Sequence, residues 1–286
     1  MAHDVVFIGS SQLGLRCLLE SNHFRVREAL CLTKRLTPAL ETLARGQALP
    51  LKTFDSILSF RPLIESHPSS MPFFIYQLDM LVPADLTETY AFYNVHRGDL
   101  MTNRGPNPDI WPILNGDSET QLSLHRINDK VDSGVLIDAV SVPVHPGDDT
   151  TSVRQRLEAG LPRLVEAFHE HLVGSRQGTV LEGGLYRPWI TEADFTIDLA
   201  RDSLDVIGRK IRSQRQYNGA ILVVDGVKHY IADILQARPR VPDQTFVCTG
   251  DGSTIRACSS SHVLILKRNE DPKYPPPPRR RPSKRV

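Results

Sequence analysis

The sequence contains few cysteines, and they are not spaced like the ligands of a metal or redox site. The four are Cys17, Cys31, Cys248 and Cys258, with no Cys-x-x-Cys pair among them. No combination of histidines and cysteines has the spacing of a zinc site either. We therefore expect reduced structural thiols of the cytosolic kind and no bound metal.

Long apolar runs are also absent. The first apolar segment, Val5–Ile8, is too short for a signal peptide or a membrane span, and no cluster of positive charges precedes it. From these two observations we expect a cytoplasmic protein without a membrane partner. The composition, with 40% hydrophobic and 23% charged residues, is that of an ordinary globular protein.

The first turn of the chain lacks a phosphate-binding motif. Between Gly9 and Gly14 the sequence reads Gly-Ser-Ser-Gln-Leu-Gly, which is not Gly-x-Gly-x-x-Gly and contains no Gly-Lys-Ser. A β-rich run precedes this segment and a helical pattern follows it. We interpret the segment as a plain turn between a strand and a helix.

The charge is nearly balanced overall but uneven along the chain. The formal net charge is +1, yet residues 272–286 carry six basic side chains and no acidic one, which leaves 28 basic and 33 acidic residues in the rest. Residues 1–271 are thus net acidic. A net acidic protein binds the phosphates of nucleic acids poorly, so a nucleic-acid partner is not expected. The run Pro275–Pro278, followed by arginines, predicts a disordered basic tail over residues 271–286.

Strand-like and helix-like patterns alternate through the first two thirds of the sequence. Short β-rich runs end near Gly9, Leu32, Tyr76 and Val95, and a turn, loop or helix pattern follows each of them. This alternation predicts an α/β domain over residues 1–190, with a doubly wound, Rossmann-like parallel sheet. Ligands bind such sheets at the carboxyl ends of the strands.

A different pattern begins after residue 190. An amphipathic helix is predicted over residues 202–212, and five short strands follow it, the first two joined by Asp225-Gly226, a hairpin signal. We expect a small, OB-like β-barrel domain over residues 191–270. Before this boundary, one long helix is predicted over Val153–Leu172 from its apolar stripe.

Three polar residues at the centre of the sequence suit acyl transfer. Asn94 and His96 follow a strand pattern with their side chains on the same face, and Asp132 comes about 36 residues after His96. The imidazole can act as general acid or base, the amide can donate to a developing oxyanion, and the carboxylate can orient the imidazole. A structural histidine at the end of a strand is the alternative interpretation.

Five short motifs, in this order, resemble the formyltransferase family that uses 10-formyltetrahydrofolate, which includes methionyl-tRNA and sugar N-formyltransferases. The motifs are Asn94-Val-His96, Arg104-Gly105, Leu114-Asn-Gly-Asp117, Leu124-His-Arg-Ile127 and Val131-Asp-Ser-Gly134. The similarity covers about residues 4 to 170 and continues, in a second segment, to Ala220. No single motif is specific, whereas their combination is.

The resemblance implies a role for each matching residue. Asn94, His96 and Asp132 match the catalytic residues of the family, and the donor is expected to be 10-formyltetrahydrofolate, without a metal. The residues that match pterin-contacting segments are Tyr76, Gln77, Leu78, Asp79, Met80 and Leu81, together with Asn128, Lys130 and Val131. The residues assigned to the acceptor are Arg97, Gly98, Asp99, Arg104, Gly105, Pro106 and Trp111.

The segment after the matching histidine departs from the family. His-x-Ser-Leu-Leu-Pro is replaced by His96-Arg-Gly-Asp-Leu-Met101. This change and the net acidic charge of residues 1–271 favour a small-molecule amine acceptor, above all a nucleotide-linked amino sugar. Four alternatives stay open: methionyl-tRNA, an amino-acid, siderophore or natural-product amine, hydrolysis of formyltetrahydrofolate, and ligand binding without chemistry. The sequence also leaves open whether the chain forms a homodimer.

Two further residues allow two interpretations each. His125 lies in a strand with alternating apolar and polar residues, so it either lines the site or supports the strand. Trp111 either stacks on a ligand or belongs to the core, where most aromatic residues of this size lie.

Overall fold

The computed structural model describes residues 2–241, 249–250 and 252–272. Cys248, most of the strand predicted over residues 245–249, and the tail from residue 273 onward lie outside the described residues. Cys17, Cys31 and Cys258 are free thiols. Burial raises the pKa of the Cys31 thiol to about 11, which keeps it protonated and unreactive.

The larger sheet of the described chain has eight strands in the order β3-β2-β1-β4-β5-β6-β7-β8. The strands are β1 (His3–Gly9), β2 (Phe24–Leu32), β3 (Leu51–Phe54), β4 (Phe73–Tyr76), β5 (Phe92–His96), β6 (Glu119–Arg126), β7 (Val135–Pro143) and β8 (Thr179–Val180). Strands β1 to β5 are parallel, and β6 is antiparallel to β5. The strand order reverses at β1, which has β2 on one side and β4 on the other. The predicted mixed α/β fold with a large parallel sheet is confirmed.

Nine helices accompany the strands within the described ranges. They are α1 (Gln12–Glu20), α2 (Pro38–Gly46), α3 (Ile57–Glu65), α4 (Ala84–Thr89), α5 (Trp111–Asn115), α6 (Thr150–Glu158), α7 (Leu161–Leu172), α8 (Glu192–Phe195) and α9 (Leu204–Gln214). In the first turn of the chain, Ser11 accepts a hydrogen bond from the Gly14 amide at 3.1 Å and so caps α1. The interpretation as a plain turn between strand and helix agrees with this cap.

Aromatic and aliphatic side chains of the central strands form the core of this sheet. Val5–Ile8 of β1 are fully buried, as are Phe73 and Phe74 of β4. The rings of Phe73 and Phe92 stack with their centroids 4.9 Å apart. Burying each of these side chains contributes about 1.5–3 kcal/mol, so the strand ends are held by a rigid core.

The single long helix predicted over Val153–Leu172 is wrong. The chain forms two helices, α6 and α7, which are separated by Ala159 and Gly160. A Cβ on Gly160 would lie 3.0 Å from the Val140 side chain, so the chain passes close to β7 at this point. Pro162 has no N–H to continue the helical hydrogen bonds. The apolar stripe crosses the break, which is why periodicity did not reveal it.

A second sheet lies in the C-terminal part of the described chain, with five antiparallel strands in the order β11-β12-β13-β10-β9. The strands are β9 (Ala220–Val224), β10 (Val227–Pro239), β11 (Thr249–Gly250), β12 (Thr254–Cys258) and β13 (His262–Arg268). Asp225 and Gly226 both have positive φ, as the predicted hairpin turn requires. Ile207 and Ile211 of α9 belong to the apolar cluster of this sheet. Closure into an OB-like barrel stays a prediction.

The chain divides into two compact units. The first comprises residues 1–108, 120–142 and 156–187, and the second comprises residues 109–119, 143–155 and 188–286. The second unit therefore takes two segments from inside the range 1–190, and the boundaries at residues 190 and 270 stay a prediction. Among the helices of the described residues, none combines the length and the apolar character needed to cross a membrane.

Candidate active site

Strand β5 carries Asn94 and His96 at its carboxyl end. The antiparallel pairing of β5 with β6 places Asn94 opposite His125. His96 is buried, and its Nε2 atom lies 2.8 Å from the carbonyl oxygen of Asn103. Because a carbonyl oxygen only accepts, Nε2 carries the hydrogen of this bond. The other ring nitrogen of His96, Nδ1, faces Asp132.

Asp132 is fixed by its own backbone and by an amide from another segment. Its φ is +44°, a left-handed conformation that aspartate tolerates better than most residues. Oδ1 lies 3.5 Å from His96 Nδ1, and Oδ2 accepts a hydrogen bond from the Gly105 amide at 2.8 Å. The carboxylate and the imidazole form an ion pair whenever the ring carries both hydrogens. The structure thus brings Asn94, His96 and Asp132 to one place.

His125 completes the polar cluster. Its Nε2 lies 3.2 Å from Asn94 Nδ2 and 3.9 Å from Asp132 Oδ1, and its Nδ1 lies 3.1 Å from the carbonyl oxygen of Ser133. Complete burial lowers the pKa of His125 from 6.5 to about 4, although the Asp132 carboxylate acts in the opposite direction. The ring is therefore neutral near pH 7: Nδ1 donates to Ser133, and Nε2 accepts from the Asn94 amide. His125 thus lies beside Asn94 and Asp132, and both interpretations of it, lining the site and supporting the strand, stay open.

The loop after His96 folds back against the imidazole. A Cβ on Gly98 would lie 3.0 Å from His96 Nε2, 3.0 Å from the carbonyl oxygen of Asn103 and 2.7 Å from Cβ of Pro108. The Gly98 carbonyl accepts a hydrogen bond from Ser123 Oγ at 2.9 Å. Only glycine fits this position without a shift of its neighbours, at the place where the resembling family carries serine.

Residues 184–187, the strap, run alongside the same loop. The Arg104 amide donates to the Leu185 carbonyl at 3.0 Å, and the Arg104 carbonyl accepts from the Arg187 amide at 2.7 Å. The Arg104 side chain is buried, and its Nε donates to the Leu100 carbonyl at 2.6 Å. Arg104 therefore holds the loop together, and its predicted contact with an acceptor stays a prediction.

The segment predicted to contact a pterin begins at the carboxyl end of β4. A Cβ on Gly9 of β1 would lie only 1.9 Å from the carbonyl oxygen of buried Tyr76, so β1 and β4 approach very closely here. Gln77 has a φ of +64°, in the left-handed region. Its carbonyl accepts from the Ser10 amide at 3.3 Å and from Ser10 Oγ at 3.2 Å. These contacts fix the backbone at the point where the strand order reverses.

The rest of this segment is partly buried and partly open. Leu78 and Met80 pack against the core cluster of the sheet, whereas 66% of the Leu81 side chain is exposed. Asp79 forms an ion pair with Arg35, which lies after β2. Contact of these residues with a pterin stays a prediction.

Other predicted site residues have local partners. Arg97 lies 3.6 Å from Glu158 of α6, and the Tyr76 hydroxyl donates to the same Glu158 oxygen at 3.4 Å. Asp99 Oδ1 accepts from the Met101 amide at 2.7 Å, which orders the turn.

The segment before Asp132 has a similar arrangement. Asn128 Oδ1 accepts from the Lys130 amide at 3.0 Å, and the Lys130 and Val131 side chains are exposed. Pro106, in the loop after His96, is partly exposed. Trp111, in the second unit, is buried and donates to the Pro188 carbonyl at 3.2 Å, as a structural aromatic does. Ligand contacts of all five residues stay predictions.

The described residues contain no candidate metal centre. Within residues 2–241, 249–250 and 252–272, no group of three His, Cys, Asp or Glu side chains could hold a metal ion.

Curated proteins with similar sequences are methionyl-tRNA formyltransferases. That of Burkholderia vietnamiensis is 28% identical over 182 residues, which are 61% of this chain and 55% of the relative. That of Geotalea uraniireducens is 25% identical over 241 residues, 80% of this chain and 75% of the relative. The resemblance to the formyltransferase family is confirmed. The chain spans about half the length of the first of these curated relatives, and no family model matches it.

Solved structures, among them two sugar N-formyltransferases, share the fold. A sugar N-formyltransferase from a Shewanella species has a TM-score of 0.65 at 18% identity, over 80% of this chain and 96% of the other. WlaRD, a sugar 3N-formyltransferase solved in the presence of dTDP and 5-N-formyl-tetrahydrofolate, has a TM-score of 0.64 at 16% identity, over 95% and 99%. HypX from Aquifex aeolicus, in complex with tetrahydrofolic acid, has 0.60 at 15%, over 91% and 43%.

The formyltransferase motifs did not reveal three contacts of the site. Asn103 binds His96 through its carbonyl oxygen, which no side-chain pattern reports. Glu158 lies in a helix whose break was not predicted. The strap is irregular, so periodicity gives no signal for it. The cross-strand position of His125, opposite Asn94, was the signal that could have assigned this residue to the site.

Proposed function

We propose that this chain is a folate-dependent N-formyltransferase, which moves the formyl group of 10-formyltetrahydrofolate to the amine of a small acceptor. The observation that carries the proposal is the contact between His96 and Asp132, with His125 lying between Asn94 and Asp132. This cluster lies at the carboxyl end of β5, where ligands bind sheets of this kind. The sequence relatives, which are formyltransferases, support the same reaction class.

Asn94 is the proposed donor to the oxyanion that forms when an amine attacks the formyl carbonyl. Its amide nitrogen has two hydrogens, and one of them is directed to His125 Nε2. The second is free to reach the oxyanion. Because His125 is neutral and buried, it fixes the amide in the orientation with nitrogen as donor. A fixed donor of this kind contributes about 3–4 kcal/mol to transition-state stabilisation.

His96 is the proposed proton carrier, and Asp132 orients it. With Nδ1 beside the carboxylate, a positively charged imidazole is stabilised next to the reacting carbonyl. Nε2 is bound to the Asn103 carbonyl, so it reaches a reacting atom only when this bond exchanges for one with the substrate. The Asn103 carbonyl therefore moves aside as the acceptor binds, while the Gly105 amide keeps its bond to Asp132. The proton lost by the attacking amine passes through His96 to the departing folate nitrogen.

Two segments support folate as the donor. The first is the segment from Tyr76 to Leu81, whose backbone is fixed at Gln77 and whose Leu81 side chain is open to a planar ring. The second is the loop before Asp132, where the apolar side chain of Val131 is exposed. The first segment begins in β4, the strand next to β5, and the second ends at Asp132. A donor that contacts both segments would therefore have its formyl group close to the cluster.

For the acceptor, we propose a nucleotide-linked amino sugar. The loop after His96 departs from the family pattern and is closed by Gly98 and the strap. Outside residues 272–286, acidic residues outnumber basic ones by 33 to 28, which disfavours a polyanion such as tRNA. We also propose the assignment of residues 1–190 to catalysis and of residues 191–270 to a small barrel.

The test is an assay of the purified chain with 10-formyltetrahydrofolate and a panel of nucleotide-linked amino sugars and amino-acid-derived amines. Release of tetrahydrofolate and the mass of the product report formyl transfer. His96→Asn should lower turnover by about 100-fold or more, whereas Leu58→Ala, at an exposed position of α3, should not change it. Absence of transfer to every amine overturns the proposal, and acceptor-independent release of formate indicates a hydrolase instead.

Methionyl-tRNA is the second candidate acceptor, because the sequence relatives are methionyl-tRNA formyltransferases. Salt separates the two acceptors. If tRNA is bound through several phosphates, its KM rises steeply between about 50 and 200 mM salt, whereas the KM for a nucleotide sugar changes far less.

A further inference from the structure

The strap closes around Gly105, the residue whose amide holds Asp132. Gly105 has a φ of +94°, and a Cβ there would lie 2.5 Å from the Arg187 carbonyl oxygen and 2.7 Å from Cε2 of Tyr186. The Gly105 peptide is therefore enclosed by the strap on the side where a side chain would point. Its N–H points to Asp132 Oδ2 at 2.8 Å.

Asp132 depends on this contact for the direction of its carboxylate. It lies in a left-handed conformation in the loop between β6 and β7, several of whose residues are exposed. The Gly105 amide comes from a segment 27 positions away in the sequence and binds Oδ2, which leaves Oδ1 facing His96 Nδ1 at 3.5 Å. A shift of Gly105 would rotate the carboxylate away from the imidazole.

Tyr186 provides the side chain that contacts Gly105. Its ring edge, at Cε2 and Cδ2, lies against Gly105, while about half of the side chain is exposed. On either side, the strap is joined by backbone hydrogen bonds to Met101 and Arg104. These bonds fix the strap backbone, so the ring cannot withdraw from Gly105 without a change of rotamer.

We propose that Tyr186 is a positioning residue for the formyl transfer: its ring holds the Gly105 amide toward Asp132 and so aligns Asp132 with His96. This inference rests on the proposed function for its kinetic consequence, whereas the geometric link from Tyr186 to Asp132 does not. A carboxylate displaced by about 1 Å can lower the rate of the chemical step on the order of 100-fold.

The test compares three variants of the full-length chain. Tyr186→Ala should lower kcat by about 10- to 100-fold and change the acceptor KM by less than about threefold, because the ring acts on the transition state through Asp132. Tyr186→Phe should resemble the wild type, since the contact involves ring carbons and not the hydroxyl. Val180→Ala, at an exposed position of β8, is the matched control and should leave kcat unchanged.

A second readout does not need activity. In a ¹⁵N-detected NMR spectrum, the His96 ring nitrogens of Tyr186→Ala should shift toward their positions in Asp132→Asn, and those of Tyr186→Phe should not. If the wild type transfers no formyl group, the proposed function has failed, and the NMR comparison still decides the positioning role. A raised acceptor KM with unchanged kcat, or His96 signals identical to wild type, overturns the inference.

Discussion

Asn94 and His125 face each other across strands β5 and β6, and the Asn94 amide donates a hydrogen bond to the His125 imidazole over 3.2 Å. The fully buried imidazole can accept this bond because it is neutral. A charged ring would have a hydrogen on Nε2 and would force the Asn94 amide to turn its oxygen inward. The protonation state of one buried histidine thus sets the orientation of the proposed oxyanion donor.

Replacing His125 by phenylalanine should lower kcat by about 10-fold or more, because the Asn94 amide loses the acceptor that orients it. Phenylalanine preserves the ring volume, so the packing between β5 and β6 changes little. The measurement is steady-state turnover with the preferred acceptor, with circular dichroism as a check of folding. Turnover equal to the wild type in a folded His125→Phe protein contradicts the role assigned to this pair.

The stability of the protein should fall in mildly acidic solution because of His125. Folding lowers the pKa of this imidazole from 6.5 to about 4, so the unfolded chain binds a proton that the folded chain excludes. The contribution of His125 to the free energy of unfolding is therefore fully present above about pH 6.5 and is lost as the pH falls toward 4. Between pH 7.5 and pH 5 the loss amounts to about 2 kcal/mol from this group alone. Urea unfolding at both pH values measures it.

The control for this pH effect is His125→Gln, which cannot take up a proton. Its free energy of unfolding should fall less than that of the wild type over the same interval. Equal losses in the two proteins would show that other groups cause the acid sensitivity.

His96 and Asp132 should behave as one unit in catalysis. Asp132→Asn removes the charge beside Nδ1, and His96→Asn removes the proton carrier, so each should lower kcat by about 10²–10³-fold or more. Because both changes disable the same function, the double variant should be no slower than the slower single variant by more than about threefold. Strictly additive losses in this double-mutant cycle are the outcome that contradicts the linked arrangement.

Two glycines offer a matched test of the backbone at the strand reversal. Gly9→Ala should destabilise the protein by about 3 kcal/mol or more, because the new Cβ would lie 1.9 Å from the Tyr76 carbonyl oxygen and φ is +146°. Gly46→Ala, in α2, meets nothing within 4 Å and should be neutral or stabilising by up to about 1 kcal/mol. Denaturant unfolding compares them, and similar effects of the two substitutions would contradict the close approach of β1 and β4.

The parts of the fold with a strong local sequence signal could be predicted. The strands around Val5–Ile8 and Phe73–Tyr76 are uninterrupted apolar runs, as buried parallel strands are. The hairpin at Asp225-Gly226 follows from turn chemistry. Helix α3 was not predicted: it contains Pro62 and depends for its start on a capping box between Ser56 and Ser59, which is a local hydrogen-bond arrangement rather than an apolar period.

The candidate site, too, could be predicted only in part. Asn94, His96 and Asp132 were predicted because their residue types and order resemble a family. The contacts that hold them were not, since the Asn103 carbonyl and the Gly105 amide belong to the backbone and carry no signature in side-chain identity. Tertiary approach of distant segments decides such contacts, and it emerges only from packing.

The tight fit of Gly98 has a consequence for how this protein can change over generations. The serine that the resembling family carries at this position cannot be introduced alone, because its Cβ would approach Pro108, the Asn103 carbonyl and His96 Nε2 together. Replacing Pro108 alone does not relieve this contact, because the atom concerned is Cβ, which every residue except glycine carries. The two positions are therefore epistatic: serine at position 98 is compatible with this protein only together with a change that shifts residue 108 and the Asn103 carbonyl.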